Sequence, residues 1–301
     1  MQIGWLVFVG AEVQVDPVTD STPRVPFRVK YWGVRGSIPA PGPDTVRYGG
    51  NTTSLELVAG DQTFGIDGGT GVRLFGNALM QRMPVNVTFF MTHLHLDHVQ
   101  GFPFFVPFLI PGNKFDVYSA LHNGSAVEDV LRALFAQPAF PISMDDLRAT
   151  ITFKRLAMGD SLEFGALRIH TRPLHHPGGV VGYRFECDGR SFVHASDWEH
   201  PADGSFDPVF LDLARDCDVL SVDATYTEDE YHGRAGPARR GWGHATHEAA
   251  LRHGKAAGAK RVLLFHHEPA RVDGQLDEIA VALKDLHPNA AFVREGDVIE
   301  L

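Results

Sequence analysis

Thr92-His93-Leu94-His95-Leu96-Asp97-His98 places three imidazoles and a carboxylate between positions 93 and 98. His93 and His95 are two residues apart, so on an extended segment they point the same way. Asp97 and His98 then enter a turn and can face a second point nearby. The spacing predicts one metal at His93 and His95 and a neighbouring metal at Asp97 and His98. Neutral imidazole and carboxylate suit zinc, with manganese and iron as alternatives. The competing reading is a polar loop with chance histidines. It accounts poorly for a run that follows the apolar strand Val87-Thr88-Phe89-Phe90-Met91 directly and needs imidazole for nothing else.

The rest of the chain sets bounds on this centre. Its 301 residues are 44% hydrophobic and 21% charged, an ordinary globular composition. The formal net charge is −10, from 37 acidic residues against 27 Lys plus Arg. Such a surface repels polyanions, so a nucleic-acid partner is not expected. A small anionic substrate held by metal ions remains compatible with it. Cys187 and Cys217 have no CxxC spacing and read as reduced, half-buried thiols, with a bridge between them as the minority alternative. Trp5-Leu6-Val7-Phe8-Val9 is apolar but short and lacks a preceding basic residue, unlike a secretory signal. No run of about 18 apolar residues exists to span a membrane. The expected location is cytoplasmic. Residues 1–26, with Pro17, Pro23 and Pro26, read as an N-terminal extension, a strand and linker outside a single domain covering 27–301.

Strand-like runs recur at 27–32, 54–59, 62–66, 86–91, 115–119, 150–155, 166–172, 180–187, 191–195, 218–222, 261–265 and 290–294. Helices are expected from about Gly71 to Met83, after Ser125 (with Glu128 as a capping box), from Thr246 to Gly258, and over Leu276–Leu283. Strands come in blocks early and in strand–helix units late. That order predicts an αββα sandwich, two mixed sheets packed face to face and flanked by helices, with a doubly wound sheet as the alternative.

Two metals need more ligands than residues 93–98 supply. His175-His176, Ser196-Asp197 and His266-His267 each adjoin an apolar strand, where polar residues gather at one sheet edge. Asp197 is suited to bridging, because a carboxylate offers two oxygens. Taken singly, such an Asp is more often a turn or helix cap.

The order HxHxDH, then His, Asp and His resembles the metallo-β-lactamase superfamily. Phe64-Gly65-Ile66-Asp67-Gly68-Gly69-Thr70-Gly71 resembles that superfamily's aspartate–glycine turn. Trp32-Gly33-Val34-Arg35-Gly36-Ser37-Ile38-Pro39, Gly49-Gly50-Asn51-Thr52-Thr53, the stretch from His176 to Gly182-Tyr183-Arg184, and Gly243-His244-Ala245-Thr246 resemble its phosphodiesterase branch. That branch includes ribonuclease Z-like, PhnP-like and cyclic-nucleotide phosphodiesterase-like proteins. The resemblance spans roughly residues 28–301.

It implies two divalent metal ions, zinc first. One would take His93, His95 and His176; the other would take Asp97, His98 and His266. Asp197 would bridge them, with water or hydroxide between. His175 and His267 are the alternatives to His176 and His266. Asp67 would orient the ligand loop, and Asp97 and His244 would serve catalysis. His244 would contact the phosphate or protonate the leaving oxygen. Arg35, Ser37 and Asn51 would bind substrate, although Arg35 also suits a loop tie through carboxylates. His247 reads as helix surface, and His170, His194 and His200 as ordinary polar or packed residues.

The implied activity is hydrolysis of small phosphodiesters or cyclic nucleotides. Transfer-RNA 3′ processing ranks lower because the chain is acidic and lacks an obvious basic arm. The same centre would also suit a lactone, β-lactam or thioester. A di-iron oxidoreductase would usually carry Glu within the first motif, and a metal-sensing module would be expected to lack ligands. The apolar insertion around Phe102-Pro103-Phe104-Phe105-Val106-Pro107-Phe108 suggests a pocket wall, a homodimer surface or buried core.

Overall fold

A computed structural model describes residues 24–301; of the extension expected over residues 1–26, residues 1–23 lie outside the described residues. Strands form two seven-stranded sheets. The first contains β1 (Phe27–Gly33), β2 (Ser54–Ala59), β3 (Gln62–Ile66), β4 (Asn86–Phe90), β5 (Lys114–Ser119) and β6 (Thr150–Arg155). The second contains β7 (Ser161–Phe164), β8 (Leu167–Leu174), β9 (Val180–Cys187), β10 (Arg190–Ala195), β11 (Val219–Asp223), β12 (Arg261–Phe265) and β13 (Ala290–Phe292). The C-terminal β14 (Val298–Glu300) returns to pair with β1.

Each sheet has an antiparallel half and a parallel half. In the first, β14, β1, β2 and β3 are antiparallel, and β3 to β6 are parallel. In the second, β7 to β10 are antiparallel and β10 to β13 parallel. Leu55, Leu57, Phe64, Ile66 and Phe90 pack against Val181, Tyr183, Phe185, Phe192 and Phe265 between the sheets. Helices α1 (Val72–Leu79) and α3 (Val127–Leu134), with the turns over 102–109, contribute to the layer outside the first sheet; α2 (Leu96–Val99) leads into those turns. Helices α4 (Pro208–Ala214), α6 (His247–Ala256) and α7 (Asp273–Leu283) cover the second, and α5 (Glu228–Tyr231) is a single turn. The expected αββα sandwich is the fold observed.

The differences are local. β7 and β14 are short and half-exposed, too weakly patterned to stand out. α4 begins at Asp207-Pro208, where Asp207 accepts hydrogen bonds from Val209 N and Phe210 N. The predicted Ser125–Glu128 box does not form: Ala126 occupies the N-cap and Ser125 pairs with the His122 backbone in a turn. Thr246 does cap α6, and Gly258 has the expected positive φ. His247, expected on the helix surface, is buried against the Phe292 ring because the first turn of α6 faces the sheet. Both cysteines are free and fully buried rather than half-buried. Phe102, Phe105 and Phe108 are core, while Phe104, Val106 and Leu109 stay exposed. Among the described residues, no helix is long and apolar enough to cross a membrane.

Candidate metal centre

The candidate ligands sit on the segments that leave the parallel strands β4, β10 and β12 and the antiparallel strand β8. The chain leaves β4 and runs through His93 to His95, which is the N-cap of α2; Asp97 and His98 lie on that helix's first turn. Asp67 follows β3 with φ 58°. Its Oδ1 accepts a hydrogen bond from Thr92 N at 2.8 Å, and its Oδ2 meets Thr92 Oγ1 and His98 Nδ1, each at 2.8 Å. One buried carboxylate thus fixes both ends of the histidine loop. His176 follows β8, Asp197 follows β10, and His266 follows β12. Ser37 (φ 61°), Asp197 (φ 54°) and His266 (φ 63°) share the left-handed backbone of Asp67. Such conformations cost on the order of 1–3 kcal/mol each and concentrate at functional sites. Gly36 is required beside His266, because a β-carbon there would strike the imidazole ring.

The donors fall into two adjoining groups. His95 Nδ1 lies 3.0 Å from His93 Nε2 and 3.0 Å from His176 Nε2. Asp97 Oδ2 lies 3.2 Å from His266 Nε2 and 3.4 Å from His98 Nε2. Asp197 stands between the groups. Its Oδ2 is 3.6 Å from His93 Nε2 and 3.9 Å from His176 Nε2. Its Oδ1 is 3.1 Å from His98 Nε2 and 3.3 Å from His266 Nε2.

The hydrogen bonds behind these nitrogens suit metal ligation. His98 Nδ1 is held by Asp67, and His176 Nδ1 donates to Gly243 O at 2.8 Å. Their protons are therefore placed on Nδ1, which leaves each Nε2 lone pair facing inward. His98 Nε2 is buried with no hydrogen-bond partner among the described residues. Converging lone pairs repel each other unless a cation lies between them, so this donor set fits divalent metal ions.

Charge supports the same reading. Burial pulls the imidazoles of His93 and His176 downward and that of His95 to about 4, so they stay neutral. At Asp197 burial opposes ionisation but is outweighed by His266 and His98, which hold the carboxyl well below its usual range. Asp97 is held low against burial by His98 and His266. His98 is pushed up because Asp197, Asp97 and Asp67 outweigh its burial. The carboxylates that would hold a proton on His98 would equally hold a metal cation in its place.

The alternatives resolve geometrically. His175 is exposed, and its carbonyl accepts from Glu199 N. His267 turns away, with Nε2 bonded to Val293 O at 2.8 Å. His244 joins the centre through Nδ1, 2.8 Å from Asp223 Oδ2 and 3.9 Å from Asp197 Oδ2.

The expected substrate residues need correction. Arg35 is fully buried and donates to the carbonyls of Gly49, Arg271 and Glu268, so its guanidinium ties three loops through backbone rather than reaching a phosphate or a carboxylate. Asn51 is committed to Glu295 through N and Nδ2. Ser37 acts through its backbone, donating N–H to Asp97 Oδ2 at 2.7 Å.

The sequence reading missed Asp223 and Glu199. Asp223 Oδ1 accepts from Ala245 N and Thr225 Oγ1, while Oδ2 faces His244. Its position at the end of an apolar strand was the available signal, the same that marked Asp197. Glu199 accepts from Gly241 N and Gly243 N and so shapes the loop leading to His244.

A family model described as Beta-lactamase superfamily domain matches residues 66–267. Ribonuclease BN of Cronobacter sakazakii is 26% identical over 224 residues, covering 59% of this chain and 69% of that protein. The metallo-beta-lactamase fold protein YhfI from Bacillus subtilis has a TM-score of 0.67 at 19% identity, covering 92% of this chain and 100% of that one. A diphosphatase from the PhnP family has a TM-score of 0.66 at 16% identity, covering 91% of this chain and 98% of that one. At these identities the structural likenesses speak for the fold.

Proposed function

The chain belongs to the beta-lactamase superfamily domain family, and from that premise we propose that it is a binuclear metal-dependent phosphodiesterase acting on small phosphodiesters or cyclic nucleotides. The observation that carries this reading is Asp197, whose two oxygens face two separate donor groups. His93, His95 and His176 would hold one cation, and Asp97, His98 and His266 the other, with zinc favoured by the donor chemistry. Divalent cations there supply Lewis acidity toward phosphoryl oxygens and acidify water at neutral pH.

The protein's own groups do the rest. Asp67 holds His98 in its ligating tautomer, and Gly243 O does the same for His176. Ser37 N–H orients Asp97. His244, with Nδ1 engaged by Asp223, keeps Nε2 as the nitrogen that can give a proton to the departing alkoxide. Its imidazole ring stacks on that of His266 with centroids 4.9 Å apart, which places it beside the second donor group.

A second reading, RNA cleavage such as transfer-RNA processing, draws on the name of the ribonuclease BN relative, which speaks of a ribonuclease. The net charge of −10 weighs against it, because RNA grip depends on basic surface. The test combines metal analysis of the purified protein with turnover of bis(p-nitrophenyl) phosphate, cyclic AMP, a precursor transfer RNA and a lactone. Two metals per chain with turnover of the small diesters is the expected result. Fully metallated protein that leaves both diesters intact would refute the proposal, and cleavage of the precursor RNA alone would favour the second reading.

A further inference from the structure

We infer that Trp242 is a stacking face for a planar heterocycle on the substrate, a nucleobase on one arm of the phosphodiester; this rests on the phosphodiesterase reading above. Trp242 is 56% exposed, whereas Trp198 is fully buried and Trp32 packs against Phe75. Single exposed apolar residues are common on proteins, so exposure alone decides nothing. What distinguishes Trp242 is how it is held and where.

The backbone N–H groups of both neighbouring residues, Gly241 and Gly243, are bound by one buried carboxylate. Glu199 Oε1 accepts from Gly241 N at 2.7 Å, and Oε2 accepts from Gly243 N at 2.8 Å. Tyr231 Oη–H donates to the same Oε1 at 2.7 Å and fixes the clamp from behind. Gly241 and Gly243 have φ of 83° and 93°. A β-carbon at Gly243 would collide with the His176 ring. The chain thus passes directly along a metal-ligand candidate, and Gly243 O accepts from His176 Nδ1. His244 is the next residue. The indole therefore stands at the margin of the centre on an anchored backbone. A preorganised aromatic loses little entropy on stacking.

The chemistry around it points to an anionic aromatic ligand. Arg239 lies 5.0 Å from the Tyr226 ring and 5.7 Å from the Trp242 ring. Tyr226 in turn lies 5.7 Å from the His244 ring. The order Trp242, Arg239, Tyr226, His244 leads from solvent to the proposed proton donor. Residues 232–242 carry Arg234, Arg239 and Arg240; Asp229 binds Arg234 and Glu268 lies 3.6 Å from Arg239, while Arg240 has no carboxylate partner among the described residues. Aromatic faces interleaved with arginine match a base and its phosphate together.

The test compares two diesters that share a leaving group, thymidine 5′-(p-nitrophenyl phosphate) and methyl p-nitrophenyl phosphate. With metal-loaded Trp242→Ala, KM for the thymidine ester should rise about 5- to 100-fold, the span of base–aromatic stacking, with kcat little changed. The methyl ester should be unaffected, and Trp242→Phe should retain most of the wild-type KM. Equal losses on both esters, or no loss on either, would overturn the inference. Calorimetry gives a readout independent of turnover. Adenosine 5′-monophosphate should bind wild type more tightly than inorganic phosphate, and Trp242→Ala should lose that advantage. No advantage in the wild type would also overturn it. If neither ester turns over but the advantage depends on Trp242, the phosphodiesterase reading fails and the stacking face stands.

Discussion

His244 Nδ1 lies 2.8 Å from Asp223 Oδ2, and that carboxylate sets the charge of the imidazole. Burial alone would strip the proton. Asp223, joined by Asp197 and Asp97, outweighs burial and raises His244 to about 9. A raised histidine stabilises the fold fully below its unfolded value near 6.5, and the contribution is lost as pH rises through about 9. As a proton donor it acts in its charged form, so its limb in the rate profile lies on the alkaline side. Asp223→Asn should move that limb toward neutrality. His244→Ala should lower kcat by about 100-fold or more on cyclic AMP, whose alkoxide needs a proton. It should lower kcat far less on bis(p-nitrophenyl) phosphate, whose phenolate leaves without one. Equal losses on both substrates would contradict the donor role.

Asp197 and Asp67 should separate by metal content. Asp197→Ala removes the carboxylate that faces both donor groups and should leave at most one metal per chain, measured by plasma mass spectrometry, with activity lost. Retention of two metals would contradict bridging. Asp67 touches His98 only through Nδ1. Asp67→Asn should therefore keep both metals at saturation but weaken binding about 10- to 100-fold, the usual effect of an outer hydrogen-bond partner.

The sequence was most legible where chemistry is compressed. Residues 93–98 carry four candidate ligands on one short segment, and no packing information is needed to see them. His176, Asp197 and His266 were legible as polar residues that adjoin apolar strands. Asp223 has the same signature but gains meaning only from His244, 21 residues later. Arg35 was misassigned because a charged loop residue reads as exposed. Its partners Gly49, Glu268 and Arg271 are brought to it only by the folded chain. His247 failed for a related reason: the cap located the helix start but not which face of the first turn meets the sheet.

Arg35 makes its own prediction. Its hydrogen bonds to Gly49 O and Arg271 O are each 2.7 Å. Lysine has one donor head and cannot reproduce that fork. Charged hydrogen bonds of this kind are worth about 1.5–3 kcal/mol each, so Arg35→Lys should lower Tm by several degrees in calorimetry. KM for small diesters should hold below the transition. A raised KM with unchanged Tm would instead place Arg35 on the substrate.

His194 gives the molecule an acid limit of its own. The ring is fully buried, 5.2 Å from that of Phe265, and neither nitrogen has a hydrogen-bond partner among the described residues. Burial, with a further contribution from His98, depresses it to about 3. Between about 6.5 and 3 the unfolded chain binds a proton here that the native chain does not. Stability therefore falls as pH drops through that window. His194→Phe fills the same site without a titrating group. The difference in unfolding free energy between His194→Phe and wild type should be about 2 kcal/mol more favourable to the variant at pH 5 than at pH 7. Urea melts at the two pH values measure it, and the other histidines cancel because both proteins share them. A variant curve parallel to wild type across this range would show that His194 takes up its proton without cost in the native state.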